Sequence, residues 1–274
     1  MKLKTILHPL VVSIREFKDK SKQRVYCNSE FSQRIEKLKN INQGKRCFII
    51  GNGPSLKIED LNALVDEDCF ACNRIYGLYD KTKWRPKYYC SQDEKVLVQI
   101  TDDLPFAVQN CEHAFFSYNF RDIYYDKIKE YGNVNLYYKP YVSVYSEDGT
   151  YPEGLMPFSK DISKGVYDRL SIAYAMIQIA AYMGYKEIYL IGVDHNYPMK
   201  NGVVDASQSY ADGIKPIDMS TQFPPELLLC EVSFREAKRF CEKNGISIYN
   251  ATRGGKLEVF NRISLDEVIG DGSN

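Results

Sequence analysis

Long apolar runs are missing from this sequence. None approaches the roughly 20 residues that a membrane-spanning helix requires, so no span is expected. Net charge is missing as well, because 36 Lys and Arg offset 36 Asp and Glu. No whole-protein field favours nucleic acid or an acidic membrane, and any anionic ligand must be held by local groups. Histidine is scarce: only His8, His113 and His195 occur, which leaves few side chains that titrate near neutrality. No signal peptide stands ahead of the eight cysteines, Cys27, Cys47, Cys69, Cys72, Cys90, Cys111, Cys230 and Cys241. They are expected to be reduced thiols of a cytoplasmic protein. Cys69-Phe-Ala-Cys72 has zinc or redox spacing, but no second pair accompanies it and the run is apolar. Core packing is expected there, and no metal is required. Internal repeats and low-complexity linkers are absent too.

What is present is a chain of 274 residues with 44% hydrophobic content, enough to bury the core of one large α/β domain or two small ones. Residues 1–45 are set apart by many lysines and arginines, with Leu3, Ile6, Leu7, Leu10, Val11, Ile14 and Phe17 at near-helical spacing among them. This stretch reads as a basic amphipathic helical extension. It would either rest through residues 1–42 on the inner membrane face or pack on the domain or on a partner subunit of a homo-oligomer. Pro9 argues against one unbroken helix. In residues 46–274, short apolar runs alternate with helical patterns. The spacing predicts strands at Cys47–Ile50, Cys69–Cys72, Tyr88–Cys90, Ala114–Tyr118, Val134–Tyr138, Ile188–Ile191 and Ile246–Tyr249. Helices are predicted near Ile58–Val65, Tyr125–Tyr131, Tyr167–Met183 and Glu226–Asn244. That rhythm predicts an α/β fold with a doubly wound, mostly parallel sheet. The third helix is apolar on nearly every side and should be buried. Most of the 22 tyrosines should be core and rim packing.

In such sheets ligands bind at the carboxyl ends of the strands, and those segments are unusually polar here. They read Gly51-Asn52-Gly53-Pro54-Ser55, Asn73-Arg74, Ser91-Gln92-Asp93, Gly192-Val193-Asp194-His195-Asn196-Tyr197 and Asn250-Ala251-Thr252-Arg253-Gly254-Gly255-Lys256. In the first, Gly51 and Gly53 would let backbone N–H groups approach a ligand, Pro54 would fix the start of a helix, and Ser55 would cap it. A helix start of this kind favours phosphate. The loop lacks the third glycine of a dinucleotide fingerprint and the lysine of a P-loop, and a plain tight turn would also explain it. Arg253 and Lys256 offer cations to a phosphate or a carboxylate-bearing sugar, or belong to a solvated turn.

The segments IIGNGPSL, CFACNRIY and GYKEIYLIGVDHNY resemble, in order and at comparable separations, three segments of the bacterial sialyltransferases of glycosyltransferase family 42. A broader group shares the pattern, including the motility-accessory flagellin glycosyltransferases and the MptE-like family, named after an archaeal hydroxymethylpterin pyrophosphokinase. IYNATRGGKLEVF, Ile248 to Phe260, resembles that last family most. The resemblance runs from Arg46 to Ile263 and implies a Rossmann-like, sialyltransferase-like domain. It implies a glycosyltransferase of bacterial surface polysaccharide synthesis, with a CMP-activated nonulosonic or related acidic sugar as co-substrate, a glycan acceptor and no other cofactor. Residue by residue, it implies that Asn52 and Asn73 contact the donor and Ser91 the nucleotide, that Ser171 is the hydroxyl opening the buried helix, and that Tyr197 and Tyr210 hold the donor phosphate.

The resemblance also implies a catalytic histidine just before the last long helix, but Leu227-Leu228-Leu229-Cys230 stands there. His195 lies at a strand end among polar neighbours. It is expected to be the general base of a direct displacement at the anomeric carbon, with Asp194 and then Asp93 as alternatives. A structural imidazole beside Asp194 is the competing reading. Asp66-Glu67-Asp68 has the Asp-x-Asp spacing of metal-dependent glycosyltransferases, yet it precedes a strand and should be a solvated turn at the opposite sheet edge. Two other functions stay open. A pterin pyrophosphokinase using ATP and magnesium would need clustered carboxylates where only Asp93 and Asp194 are at hand. A non-catalytic nucleotide-sugar-binding protein is favoured by the missing histidine.

Overall fold

The computed structural model describes residues 3–143, 151, 154–168, 171–201, 203–218 and 227–270, with 3–11, 203 and 206 at the backbone only. In chain order the strands are β1 (Arg46–Ile50), β2 (Cys69–Cys72), β3 (Tyr88–Ser91), β4 (His113–Ser117), β5 (Val134–Tyr137), β6 (Glu187–Ile191), β7 (Met199–Lys200), β8 (Val203–Val204), β9 (Ser247–Asn250) and β10 (Asn261–Arg262). Eight of them form one sheet in the order β10-β9-β6-β1-β2-β3-β4-β5, parallel at each described pairing. β7 and β8 form a separate antiparallel hairpin. The chain winds outward from β1 to β5, then returns to the other side of β1 with β6. The winding therefore reverses between β1 and β6, where an open α/β sheet leaves a crevice.

The helices are α1 (Leu3–Cys27), α2 (Glu30–Glu36), α3 (Ile58–Asn62), α4 (Glu94–Ile100), α5 (Leu104–Gln109), α6 (Arg121–Ile128), α7 (Ile172–Tyr182), α8 (Leu227–Lys243) and α9 (Leu265–Gly270). Side chains alternate across a strand, and β1 shows the result. Cys47 and Ile49 join one core with α2, α7 and α8, whereas Phe48 and Ile50 join another with α3, α4, α5, α6 and α9. The same alternation puts Cys69 and Cys72 in different cores, so they share no ligand, and burial pushes both thiols up to about 12.

α1 runs through Pro9 without a break. The extension is tied down by Tyr26 donating to the Leu136 carbonyl, by Asp19 accepting from Tyr138 Oη and the Tyr141 amide, and by Ile35 and Leu38 in the core. α2 thus covers β5, an edge strand that would otherwise be open, while Ile14, Phe17 and Val25 stay exposed on α1. Of Asp66-Glu67-Asp68, Asp66 is exposed in a turn before β2 as expected, but the other two are half-buried and paired. Glu67 pairs with Arg46, and Asp68 accepts from Lys87 and Tyr185 at the amino edge of the sheet.

α7 begins at Ile172 rather than Tyr167. The described residues before it, up to Asp168, are not helical, and Gln178, fully buried on α7, takes backbone groups from among them. Gln178 Oε1 accepts from the Ser159 and Tyr167 amides at 3.1 and 3.0 Å, and Nε2 donates to the Tyr167 and Tyr174 carbonyls at 2.7 and 3.0 Å. Gln178→Leu keeps the volume but orphans these groups. With each lost partner costing roughly 1–3 kcal/mol, we expect urea unfolding to show a loss of about 3 kcal/mol; a loss below about 1 kcal/mol would contradict this account of the clamp.

Candidate active site at the carboxyl ends of β1 and β6

The crevice at the winding reversal is lined by Gly51, Asn52 and Gly53 after β1, Cys72 and Asn73 at the end of β2, and Gly192 to Tyr197 after β6. Ser171, Ile172, Ala173 and Met176 of α7, Ser209 and Tyr210, and Cys230 and Phe234 of α8 complete it. Of the residues expected from sequence, the structure brings together Gly51, Asn52, Gly53, Asn73, Ser171, Gly192, Asp194, His195, Tyr197 and Tyr210.

The glycine loop differs from expectation. Its amides do not await a phosphate: Gly51 N donates to the Ile191 carbonyl at 2.8 Å and Gly53 N to the Gly192 carbonyl at 2.9 Å. The glycines are needed for another reason. A Cβ at Gly51 would lie 2.3 Å from Gly192 O, and one at Gly53 would lie 2.0 Å from Asp194 Oδ2. Asp194 has come to rest on the loop, accepting from Ser55 Oγ at 2.7 Å. Ser55 therefore caps no helix, Pro54 opens none, and α3 starts later, with Lys57 as its N-cap. Burial pushes the Asp194 carboxyl up, against the opposing bonds from Ser55. Gly255 packs on the Asp194 backbone and the Lys256 amide donates to the Asp194 carbonyl at 2.7 Å, so the last strand's loop props up β6's. Thr252 Oγ1 accepts from the Val193 amide at 3.2 Å.

Several expected donor contacts support the crevice rather than line it. Ser91 is fully buried and donates to Asn73 Oδ1 at 3.0 Å, leaving the Asn73 amide nitrogen for a ligand. Asp93 accepts from the Lys95 and Val96 amides as the N-cap of α4. Arg74 turns away to the carbonyls of Gln99, Lys215 and Pro216. Arg253 pairs with Asp60 at 2.7 Å and with Asp266 at 3.7 Å, and the Lys256 side chain is exposed.

Two polar atoms at the crevice are buried with no hydrogen-bond partner among the described residues, Asn52 Oδ1 and His195 Nε2. The Asn52 amide nitrogen is spent on the Cys72 carbonyl at 3.1 Å, which aims its oxygen the other way. Asn73 and His195 also hold left-handed backbone, φ 52° and 50°, a conformation that non-glycine residues adopt at a cost and that concentrates at functional sites. The His195 side chain is 5% exposed. Burial lowers its pKa, and the Glu231 carboxylate and the Leu227 carbonyl oppose the shift, so the ring is neutral near pH 7.

A family model described as 6-hydroxymethylpterin diphosphokinase MptE-like matches residues 22–200. The chain belongs to the MptE-like family. No curated protein matches it. Among solved structures it is similar to the MAf glycosyltransferase from Magnetospirillum magneticum AMB-1, at 17% identity and a TM-score of 0.49 over 86% of this chain, which spans only 38% of that one. It is also similar to the sialyltransferase CstII from Campylobacter jejuni in complex with cytidine-5′-monophosphate, at 23% identity and a TM-score of 0.48, covering 81% of this chain and 86% of that one. These likenesses are loose, and no residue's role rests on them. The MptE-like match begins at residue 22, inside the extension, where α1 and α2 pack on the sheet.

The sequence of this MptE-like chain put Asn196 and Thr252 in the polar strand-end segments without giving either a role, and it did not single out Ser209 or Glu231. Ser209 adjoins Tyr210, which was named; Thr252 and Glu231 carry no local signature, since their contacts exist only across elements. The geometry makes the first glycine pair testable. Gly53→Ala should push Asp194 off Ser55 and cost about 1–3 kcal/mol, the usual range for overpacking, read as a lowered urea midpoint at unchanged slope. A variant as stable as the parent would show that Asp194 does not lie on the loop.

Proposed function

We propose that the protein is a glycosyltransferase that moves a sugar, a nonulosonic acid or a related acidic sugar, from a CMP-activated donor to a glycan acceptor. The observation that carries this reading is the pair Asn52 and Asn73. One presents a buried, unpartnered acceptor and the other an amide donor, on the two loops where the resemblance puts the donor nucleotide. The donor phosphate is assigned not to the glycine loop, which Asp194 fills, but to the first turn of α7. Ser171, Ile172 and Ala173 of that turn line the crevice, and the Ser171 side chain makes no capping bond. Helix amides and macrodipole favour an anion there, and Tyr197 and Tyr210 line the same crevice. Because burial raises both phenols, they stay protonated and able to donate to a leaving phosphate. His195 takes the proton of the acceptor hydroxyl.

The description of the family model favours a second reading, a diphosphokinase acting with ATP and magnesium. Its metal would need converging carboxylates; Asp194 lines the crevice but is held by Ser55, and Asp93 is engaged at the start of α4. Thermal unfolding separates the two. CMP at about a hundredfold over its dissociation constant should add roughly 2.7 kcal/mol, visible as a raised Tm, while ATP with magnesium adds little. Stabilisation by ATP and magnesium with none by CMP would overturn the glycosyltransferase reading.

A further inference from the structure

His195 does not face the crevice unaided. Beside the imidazole lies Glu231, one turn into α8, with Oε1 3.5 Å from Nε2 and outside hydrogen-bonding geometry. The other carboxylate oxygen is held by Arg235 at 3.4 Å, four residues on along the same helix. Phe234 packs edge-on against the imidazole, with ring centroids 6.1 Å apart at 77°. The ring is thus fixed in plane by an aromatic and confronted on one nitrogen by a carboxylate that is itself braced.

We propose that Glu231 is the positioning residue for His195, holding the proton on Nε2 and leaving Nδ1 as the basic nitrogen. A slight turn of the ring closes the 3.5 Å gap into a charge-assisted bond. A carboxylate accepts and cannot donate, so the nitrogen that faces it carries the proton, and the tautomer is set. The reaction then balances without another reactant. The acceptor O–H breaks and its proton moves to Nδ1, the acceptor oxygen bonds to the anomeric carbon, and the bond from that carbon to the CMP phosphate breaks. Glu231 compensates the imidazolium that results, as a carboxylate does behind a buried catalytic imidazole. Among the described residues, the other titratable or charged groups around the ring are Asp194, its chain neighbour on Ser55, Tyr197 and Cys230 in the crevice wall, and Arg235 beyond Glu231. Of these, only Glu231 combines a negative charge with a position at Nε2.

The role of His195 as base rests on the glycosyltransferase reading, but the tautomer does not, so the test has two arms. Nitrogen-15 spectra of the imidazole in the full chain should show a protonated Nε2 and a bare Nδ1. Glu231→Gln should mix the tautomers and move the His195 midpoint down by about 1 pH unit, the low end of what a close carboxylate supplies. Glu231→Asp should restore part of both. In turnover with a CMP-sugar, Glu231→Gln should lower kcat about tenfold at unchanged KM and shift the acid limb of the profile to lower pH, since a weaker base stays unprotonated further into acid. A His195 spectrum and midpoint identical in parent and Glu231→Gln would overturn the proposal. If the spectra change as expected but no CMP-sugar is turned over, the pairing stands and the glycosyltransferase reading fails instead.

Discussion

Everything at the crevice depends on how closely the loop after β1 approaches the loop after β6. The two strands are adjacent and parallel through the register Ile50 to Ile191, and beyond it the backbones continue to bond, Gly51 to Ile191 and Gly53 to Gly192. Side chains at 51 or 53 would collide with Gly192 O or Asp194 Oδ2. With glycine there, Asp194 folds down onto Ser55, the chain turns through Gly192 at φ 66° and His195 at φ 50°, and the imidazole is delivered towards α8. Asn52, between the two glycines, is left with its amide fixed to β2 and its oxygen facing the crevice. A tight backbone contact thereby places two buried polar atoms that have no partner among the described residues, and such atoms are uncommon enough to require a reason.

Seven strands of the sheet were legible because they are short apolar runs, most of them ended by glycine, asparagine or serine, and a buried parallel strand needs little more than that; β10, Asn261–Arg262, has no apolar run and gave no signal. The short helices α4, α5 and α9 were not legible. In α4 the buried positions are Val96, Leu97 and Ile100, two of them β-branched in seven residues, too few turns for a helical period to stand out. The crevice was legible at its strand ends, since topology sends those segments to one place whatever they contain. The partner of each residue was not. Gly51 and Gly53 read as a cradle for phosphate, and the residues do explain a close approach, but only the folded chain shows that Gly192 O and Asp194 take the space. Arg74, Asp93 and Arg253 were drawn in by charge and position alone: the acceptors of the two arginines lie far along the chain at Pro216 and Asp60, while Asp93 accepts from the amides that follow it at the start of α4. Glu231 was invisible for the same reason, standing on a helix whose sequence gives no hint that it meets β6.

Burial divides the ionisable groups of the crevice by task. Asp194 is desolvated and spent on Ser55, which makes it part of the scaffold. His195 is desolvated too, yet it keeps an unpartnered nitrogen and a carboxylate at arm's length, which is what the proposed role as base asks of it. The tyrosines stay neutral, as donors should.

The central claim is that Asn52 and Asn73 receive the nucleotide while His195 faces the reacting centre across from α7. A crystal structure with cytidine monophosphate tests it most directly. The account requires the nucleotide in this crevice with a donor within hydrogen-bond distance of Asn52 Oδ1 and the phosphate at the Ser171 turn. Nucleotide bound elsewhere, or in the crevice with Asn52 Oδ1 still unpartnered, would contradict it.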